Sequence, residues 1–461
     1  MNVIYFDLDT VRADHLSCYG YPRLTTPFID SVAAESVLFT NCVAVNVPTH
    51  PSHTTLLTGL HGMRHGVLAH SGRRKGESDT VDRAPLLPEL LSERGVDTCA
   101  VDNLYPAKHW FARGYRHYIR MEGHTFFEGN DVTRQAVKWL RNREDPARPF
   151  FLFLHYWDAH APYCLNPPYE FTFYDASRDP CDPHNNSLDE MKSQFVYSSY
   201  QRAAQHKYYR NGKVTDADYI VAQYDAGLRQ VDGYIERVCS EVRRLGVWDD
   251  TVVVVAADHG ESLTEHGIYF DHAGLHDSVV RVPLIISPPG RRGSPQVVDA
   301  LVDHTDIAAT LLNLFGCEQP IEWPGGVLLP SQREDSAPPK AFVICTECTW
   351  RASVAVRTTR WKLIKTLDFG VWREGEELEL FDLTQDPEER CNLANDEAAV
   401  VRGLLAQLQN WLDGTLEGRA NPMDLERSTM LPGQVWCAKG LSPTTKADIA
   451  RVSKRLASWG Y

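Results

Sequence analysis

Apolar runs of four to seven residues alternate with amphipathic segments over the first two thirds of the chain. Such an alternation is typical of strands and helices that follow one another in a parallel sheet. Helices are predicted from near Pro27, at 86–94, at 131–141 and at 216–245. The apolar runs predict buried strands at Val3–Phe6, Val96–Val101, Pro149–Phe153, Thr251–Ala257 and Val282–Ile286. The sequence therefore predicts an α/β fold with a mainly parallel sheet.

The pattern changes after Pro320–Pro339, a stretch rich in proline, glycine and charge. Residues 342–347, 352–357, 361–367 and 378–383 read as successive antiparallel strands, and a helix is predicted at 396–415. We therefore expect a catalytic α/β domain at 1–335, a smaller antiparallel α+β subdomain at 340–417 and a tail at 418–461 with one helix at about 445–458. The polar segment at 71–83 is expected to be an exposed loop. Residues 164–212 form a long aromatic-rich insertion, which predicts a lid or a pocket wall.

Composition and net charge limit the classes of binding partner that this protein can have. The 461 residues carry a net charge of −14, which argues against nucleic acid or an anionic membrane as a general partner. The chain opens without a basic segment followed by an apolar one, and it contains no apolar run long enough to cross a membrane. The 11 cysteines are scattered, as expected for reduced thiols. These features predict a cytoplasmic protein.

Metal-type ligands follow two of the predicted strands. Asp7 and Asp9 come at the end of the first strand, and Asp258 and His259 follow the most apolar one. Because the carboxyl ends of parallel strands meet at one edge of a sheet, these side chains are expected to lie close together. A carboxylate paired with an imidazole suits a divalent ion, and Asp9 is the stronger candidate of the first pair.

Thr49 lies in a proline-bounded loop. Pro48 and Pro51 predict that the following helix begins only near Ser52, so Thr49 stands at a helix N-terminus. A hydroxyl there is often a helix cap. A divalent ion bound beside it would instead lower its pKa and generate a nucleophile for a phosphoryl or sulfuryl centre. Asp9 and Asp258-His259 favour the second interpretation.

Several ordered blocks resemble the sulfatase branch of the alkaline phosphatase superfamily, over roughly residues 2–415. The resemblance implies an alkaline-phosphatase/sulfatase-like α/β/α sandwich with a C-terminal antiparallel subdomain. The blocks are Asp9-Thr10-Val11-Arg12-Ala13-Asp14-His15, Thr49-x-Pro51-Ser52 with Leu56-Leu57-Thr58-Gly59, His155-Tyr156-x-Asp158-x-His160-x-Pro162-Tyr163, Asp258-His259-Gly260-Glu261 with His272, and Glu379-Leu380-Phe381-Asp382-Leu383.

The departures from the family pattern concern the nucleophile loop. Sulfatases carry Cys or Ser at the position of Thr49 and oxidise it to formylglycine, whereas oxidation of threonine, a secondary alcohol, would give a ketone. His53 stands where sulfatases usually have Arg. Thr49-x-Pro51-Ser52-His53 is similar to the signature of nucleotide pyrophosphatase/phosphodiesterases. The resemblance thus implies phosphoester hydrolysis through a phospho-threonine, with diesters preferred over monoesters and without formylglycine.

The resemblance also implies roles for particular residues. The catalytic residues would be Thr49, His160 and His272, and the substrate-binding residues His53, Asn103 and Trp157. A divalent ion (Zn, Mn or Ca) would be held by Asp9, Thr49, Asp258 and His259. A second ion, held by Asp158, His160 and His272, is the alternative to a single one.

Three other functions remain open at this point: a formylglycine-independent sulfatase, an inactive sulfatase-like protein that binds glycans, and a phosphoryl transferase or mutase. In each case the expected partner is a small anionic ester, linked to a sugar or a nucleotide. Neither nucleic acid nor a membrane is expected as a partner. A homo-oligomer is compatible with the sequence.

Overall fold

The computed structural model describes residues 1–70, 77–105, 107–120, 128–161, 163, 169–193, 214–289, 293–329, 338–369 and 375–424. Its strands are β1 (Asn2–Leu8), β2 (Val37–Val43), β3 (Asn46–Val47), β4 (Asp97–Val101), β5 (His117–Ile119), β6 (Phe150–Tyr156), β7 (Thr251–Ala256), β8 (Arg281–Ser287), β9 (Gln296–Asp303), β10 (Val343–Glu347), β11 (Ala352–Arg357), β12 (Trp361–Asp368) and β13 (Leu378–Asp382). Its α-helices are α1 (Pro27–Ala33), α2 (Thr49–Thr58), α3 (Gly62–His65), α4 (Glu77–Arg83), α5 (Leu87–Glu93), α6 (Gly129–Arg141), α7 (Asp189–Ser193), α8 (Ala217–Arg244), α9 (Asp277–Val280), α10 (His304–Leu314) and α11 (Ala398–Leu416).

An eight-stranded sheet forms the centre of the molecule, in the order β5-β4-β6-β1-β7-β8-β2-β9. Neighbouring strands run parallel except at β8, which is antiparallel to both β7 and β2. Helices α1, α6 and α8 pack together, and so do α2, α5 and α10. This architecture confirms the predicted α/β class with a mainly parallel sheet.

The central strands are buried along their whole length. Every residue of β1, β6 and β7 is buried, and β7 reads Thr-Val-Val-Val-Val-Ala. Strands covered by helices on both faces need apolar side chains at successive positions, which explains why these runs do not alternate with polar residues. Rigid packing around β1 and β7 fixes the loops that follow their carboxyl ends.

A second sheet of five strands has the order β13-β12-β11-β10-β3. Its first four strands are antiparallel, as predicted, and α11 packs on it through Val401, Leu404 and Leu408. β3 comes from the first part of the chain and pairs in parallel with β10. Only Pro48 separates the two-residue strand β3 from Thr49, the first residue of α2. The second sheet therefore helps to anchor the start of α2. The predicted division at 335–340 stays a prediction, and residues 330–337 lie outside the described part.

One local prediction is wrong, and a further strand and helix lie where none was predicted. Residues 71–83 are predicted as a loop, but Glu77–Arg83 form α4, because Val81 packs in a buried cluster with Leu86 and Trp110. β9 and α10 lie in a stretch without a predicted element. β9 is an edge strand with an exposed first half, so its apolar signal is weak. Of the predicted 164–212 insertion, the structure describes 169–193, which are irregular up to α7.

In the described part of the chain, no helix combines the length and the apolar character needed to cross a membrane. The predicted tail helix at 445–458 lies outside the described residues.

Candidate active site

The candidate site lies at the carboxyl ends of four neighbouring strands. β4, β6, β1 and β7 lie side by side and run parallel. Asp102 follows β4, His155 lies near the end of β6, Asp9 follows β1 and Asp258 follows β7. The register places Asp7 of β1 beside His155. The shared direction of the strands therefore brings together residues that are far apart in sequence.

Thr49 begins α2, so the predicted helix start near Ser52 is wrong. Pro51 occupies the third helical position, where its missing N–H costs no hydrogen bond because the first N–H groups of a helix lack an intrahelical acceptor. Ser52 Oγ donates to the carbonyl of Asp258 at 2.8 Å, which ties the first turn of α2 to the end of β7. Thr49 is thereby held in a buried position beside the acidic strand ends.

The four residues predicted to bind metal come together. Ligand atoms of Asp9, Asp258 and His259 all lie within 4.8 Å of one another, and all three residues are buried. Nε2 of His259 lies 3.3 Å from Oδ2 of Asp258 and 4.0 Å from Oδ1 of Asp9. The Thr49 hydroxyl is 3.1 Å from the same nitrogen. The predicted nucleophile thus adjoins the predicted ligands.

His259 presents a lone pair to this group. Its Nδ1 lies 2.9 Å from the carbonyl oxygen of Gly260, which only accepts hydrogen bonds, so Nδ1 carries the proton. Nε2 is then unprotonated in the neutral ring. Burial and the neighbouring His272 lower the pKa of His259 well below its ordinary value, which keeps the ring neutral. A neutral imidazole oriented by a carbonyl is the form that binds a metal ion.

A divalent cation fits the charges and unsatisfied atoms at this position. Oδ1 of Asp9 and Oδ2 of Asp258 are buried and have no hydrogen-bond partner among the described residues. Burial and the carboxylates of Asp9 and Asp7 raise the pKa of Asp258 well above its ordinary value. Two buried carboxylates facing an imidazole lone pair repel one another unless a cation lies between them. The donor set is compatible with a borderline or hard divalent ion.

His160 and His272 lie next to this cluster, but their pKa values are shifted in opposite directions. Their ring centroids are 5.5 Å apart, and the His272 ring lies 4.6 Å from that of His259. Burial lowers the pKa of His160 to about 4. Burial also opposes protonation of His272, but the Glu261 carboxylate, with Oε2 at 3.4 Å from Nδ1 of His272, and the charge of Asp271 outweigh it and raise the His272 pKa to about 9. His272 is therefore the better proton donor of the two.

Asp158 does not join the second-metal group predicted with His160 and His272. Its Oδ1 accepts a hydrogen bond from Nε2 of Gln230 at 2.7 Å, and its carboxylate packs against Gly129, where α6 and α8 meet. Burial raises the pKa of Asp158 to about 7. In the described part of the chain, the groups compact enough for a cation do not include this trio. Asp158 is kept out of the group by the direction in which its side chain points after β6. The sequence does not give that direction.

The predicted substrate-binding residues occupy different surroundings. Nε2 of His53 lies 2.8 Å from Oδ2 of Asp7, so this ring faces β1. The half-buried Trp157 lies next to two site histidines, with ring centroids 4.5 Å from His155 and 5.4 Å from His160. Asn103 follows β4 and is half-buried. Trp157 thus lies at the site, and His53 lies against the carboxylate of Asp7 near the end of β1.

Sequence reasoning assigned no role to His155, Asp102 and Lys108. Nδ1 of His155 lies 2.7 Å from Oδ1 of Asp102 and its Nε2 lies 3.2 Å from Oδ2 of Asp9. Lys108 is 8% exposed, and its charge is one of the factors that lower the pKa of His50, after burial. The signal for His155 and Asp102 was their position at strand ends. Lys108 gave no signal, because a lone lysine in a loop is usually exposed.

Comparison with known families identifies related sequences. Residues 1–317 match the family model described as Sulfatase, and residues 264–415 match the model described as N-sulphoglucosamine sulphohydrolase, C-terminal. An N-acetylglucosamine-6-O-sulfatase from Bacteroides thetaiotaomicron is 24% identical over 473 residues, which cover 85% of this chain and 82% of that protein.

Solved structures with the same architecture include that of another protein bound to its own substrate, D-glucosamine-2-N,6-O-disulfate. It superposes with a TM-score of 0.70 and 22% identity, and the match covers 91% of this chain and 99% of that one. A phosphonate monoester hydrolase from Agrobacterium radiobacter superposes with a TM-score of 0.68 and 20% identity, covering 90% and 96% of the two chains. These structures agree with this chain in fold.

Proposed function

Because the chain belongs to the sulfatase family, we propose that it hydrolyses the sulfate ester of a small sugar, with the unmodified Thr49 as nucleophile. The named sugar sulfatase among its relatives and the disulfated glucosamine bound by a structural neighbour support this substrate class. We base the role of Thr49 on one observation, the position of its hydroxyl 3.1 Å from Nε2 of His259, beside Asp9 and Asp258.

The phosphodiester preference predicted from Thr49 and His53 is wrong. The matching family models are those of sulfatases, and the match to the N-acetylglucosamine-6-O-sulfatase described above covers 82% of that protein. The similarity of Thr49-x-Pro51-Ser52-His53 to phosphodiesterases covers only five positions. His53, the second part of that signature, is engaged by Asp7 and so carries no preference for a diester.

Asp9, Asp258, His259 and the Thr49 hydroxyl would hold the divalent ion, for which Zn, Mn and Ca are the candidates. Bound there, the ion would lower the pKa of the Thr49 hydroxyl and offset the negative charge of the ester oxygens. The protein contributes the rigid strand ends that fix these ligands and a buried, low-dielectric setting in which the charges interact strongly.

In the first step, Thr49 loses its proton to water and its Oγ attacks the sulfur atom. The Oγ–S bond forms while the bond from sulfur to the sugar oxygen breaks, and His272 gives its proton to the departing sugar oxygen. The Glu261 carboxylate, 3.4 Å from Nδ1 of His272, keeps the imidazolium available for this transfer, because its negative charge raises the His272 pKa. The products are the free sugar hydroxyl and a sulfated Thr49.

In the second step, water attacks the sulfur of the sulfated threonine. The now neutral His272 accepts the proton of that water, the Oγ–S bond breaks, sulfate leaves, and Oγ of Thr49 takes back a proton from water. Threonine carries a single oxygen on its β-carbon, so release of the sulfate requires cleavage of the bond between sulfur and Oγ. The charge of the buried Lys108 acts on His50, the residue after Thr49, and Trp157 contacts His155 and His160, so we assign Lys108 to binding the sulfate and Trp157 to binding the sugar ring.

The experiment compares sulfate and phosphorus esters on the purified protein. Glucosamine-6-sulfate, an unsaturated uronate-2-sulfate and an aryl sulfate are assayed beside an aryl phosphodiester and a phosphonate monoester, each with added divalent ions. We expect the sugar sulfates to be turned over fastest. Acid quenching during turnover should leave one SO₃ group on the peptide that contains Thr49, and this adduct should be absent from Thr49→Val.

Two outcomes would overturn the proposal. Faster turnover of the phosphonate monoester than of every sulfate would assign the site to phosphorus esters. Tight binding of a sugar sulfate without any turnover would make the chain a binding protein. The cytoplasmic location and the oligomeric state stay predictions.

A further inference from the structure

A second group of buried ligand atoms lies beside the cluster already described. Asp7 of β1, His53 of α2 and His155 of β6 each offer one ligand atom, and these atoms all lie within 4.8 Å of one another. The three residues are at most 3% exposed. Asp7 is the weaker candidate of the predicted Asp7 and Asp9 pair, and His53 and His155 are not predicted as metal ligands. They share a carboxylate neighbour, Asp9, with the first cluster.

Nε2 of His53 faces two carboxylates. This nitrogen lies 2.8 Å from Oδ2 of Asp7 and 3.8 Å from Oδ2 of Asp258. Neither Nε2 of His53 nor Oδ2 of Asp7 makes a hydrogen bond of acceptable geometry, although both are buried. A short contact with poor hydrogen-bond geometry is what two ligands of one absent cation would show.

His155 has the orientation of a metal ligand with an outer carboxylate. Its Nδ1 lies 2.7 Å from Asp102, which leaves Nε2 facing Oδ2 of Asp9 at 3.2 Å. Asp102 is itself fixed, since Tyr118 Oη donates to its Oδ2 at 2.5 Å and the Leu104 amide donates to the same oxygen at 3.2 Å. A carboxylate that accepts the Nδ1 proton commonly orients a histidine whose Nε2 binds metal.

Asp9 lies between the two groups. Its Oδ2 faces His155, and its Oδ1 faces His259 at 4.0 Å. One carboxylate can therefore serve both positions, one oxygen to each. Asp7, Asp9 and Asp258 together bring three buried carboxylates into contact with the two groups. A single divalent ion leaves one of these negative charges unbalanced, and buried charge of this kind is costly.

We propose that Asp7, His53, His155 and Oδ2 of Asp9 form a second divalent-cation site, joined to the first through the carboxylate of Asp9. Two imidazoles and two carboxylates favour Zn²⁺, or a similar transition-metal ion, over Ca²⁺, which prefers oxygen ligands alone. Ligands of a tetrahedral Zn²⁺ lie about 3.3 Å apart for bonds of about 2.0 Å. The separations of 2.8 Å between His53 and Asp7 and of 3.2 Å between His155 and Asp9 are close to that value. The site replaces the predicted group of Asp158, His160 and His272.

The competing arrangement uses protons instead of a metal. Protonated His53 and His155 would each bridge two carboxylates and would also offset the negative charge. The two arrangements differ in the number of metal ions bound per chain, which can be measured without any substrate. The second site thus goes beyond the proposed sulfatase activity and does not depend on which ester is cleaved.

The experiment counts ions on the full-length chain. Protein stripped with a chelator is titrated with Zn²⁺, and the bound metal is measured by elemental analysis after gel filtration. We expect two equivalents per chain for the wild type and one for Asp7→Asn and for His53→Gln. His259→Gln should also retain one, because it removes a ligand of the first site. His304→Gln is the matched control, since this buried imidazole contacts Ser52 and Ala257 instead of the carboxylates, and it should retain two.

A second measurement tests whether the two ions lie next to each other. In Mn²⁺-loaded wild-type protein, two ions joined by one carboxylate should show spin coupling in the electron paramagnetic resonance spectrum, and the coupling should vanish in Asp7→Asn. Thermal unfolding checks that each variant is folded. A single equivalent in the wild type, with an uncoupled Mn²⁺ spectrum, would overturn the second site and leave the sulfatase proposal standing. Two equivalents of metal per chain without sulfatase activity would support the second site and overturn the sulfatase proposal.

Discussion

The hydroxyl of Thr49 lies 3.1 Å from Nε2 of His259, at the point where the first turn of α2 meets the end of β7. The proton on Nδ1 of His259 is fixed by the carbonyl of Gly260, so the nitrogen that faces Thr49 presents a lone pair. This relationship distinguishes Thr49 from an ordinary helix cap. No hydrogen bond from the Thr49 side chain to the N–H groups of α2 is present, and the residue before it makes no side-chain cap either.

Replacement of Thr49 tests its role as nucleophile. Thr49→Val keeps the shape of the side chain but removes the hydroxyl, and we expect it to lower kcat on sugar sulfates by at least about 10³-fold. Thr49→Ser keeps the hydroxyl and should retain a measurable fraction of kcat. Steady-state kinetics and thermal unfolding on the three proteins check this. Equal kcat for Thr49→Val and wild type would show that the hydroxyl is not the nucleophile.

His272 should matter most for poor leaving groups. Loss of a general acid costs typically about 10²–10⁴-fold when the leaving oxygen needs a proton, and much less when it does not. We therefore expect His272→Gln to lower kcat/KM strongly on sugar sulfates and only weakly on nitrophenyl sulfate. His160→Gln is the matched variant, because burial keeps the His160 pKa low and the ring neutral. Equal losses of kcat/KM on both substrates in His272→Gln would exclude proton donation as its role.

Lys108 is predicted to bind the sulfate group. It is buried beside the nucleophile helix, with its ammonium 5.4 Å from the centre of the Trp110 ring. A hydrogen bond from a buried cation contributes about 1.5–3 kcal/mol, so Lys108→Met should raise KM by about 10- to 100-fold. Lys108→Arg should restore part of the binding, and the exposed Lys138→Met serves as the control. An unchanged KM in Lys108→Met would place the anion elsewhere.

Metal removal should affect both stability and activity. Without a cation, the buried carboxylates of Asp9 and Asp258 repel each other, and the folded state loses the free energy of ion binding. At an ion concentration about 1,000 times Kd, that free energy is about 4 kcal/mol. We expect dialysis against a chelator to lower Tm and abolish sulfate release, and added Zn²⁺ or Mn²⁺ to restore both. Full activity of the stripped enzyme would contradict the metal's role.

Asp277 should make the stability of the protein depend on pH. Its carboxylate binds Arg357 at 2.9 Å and Lys362 at 2.8 Å, and so joins α9 to the second sheet. Burial opposes ionisation of Asp277, but these two cations outweigh it and hold its pKa well below the ordinary value. Because the folded pKa lies below the unfolded one, the contribution is present above about pH 4 and is lost as the pH falls further.

Asp277→Asn is accordingly expected to lower the free energy of unfolding by about 3 kcal/mol at pH 7, since it leaves buried cations without one partner. The difference from wild type should shrink as the pH falls from 5 to 3. Urea unfolding over that range measures it, with the exposed Asp249→Asn as the control. A difference that does not vary with pH would mean that the ion pair adds nothing beyond packing.

The sequence by itself predicted the α/β class, most of the strands and the group of Asp9, Thr49, Asp258 and His259. Short apolar runs bounded by turn residues are typical of strands covered on both faces, and the carboxyl ends of parallel strands meet at one edge of the sheet. Local pattern was enough for these conclusions, because each depends on the order of residues within one element.

Only the tertiary structure decided which side chains face each other across elements. Asp7 contacts His53, and His155 reaches both Asp102 and Asp9, because β4, β6 and β1 are neighbours in a sheet order that the chain does not spell out. Asp158, only three residues after His155, turns instead towards Gln230 on α8. A sequence gives the positions of ligands along the chain, but their direction depends on strand order and register, which packing of the whole sheet determines.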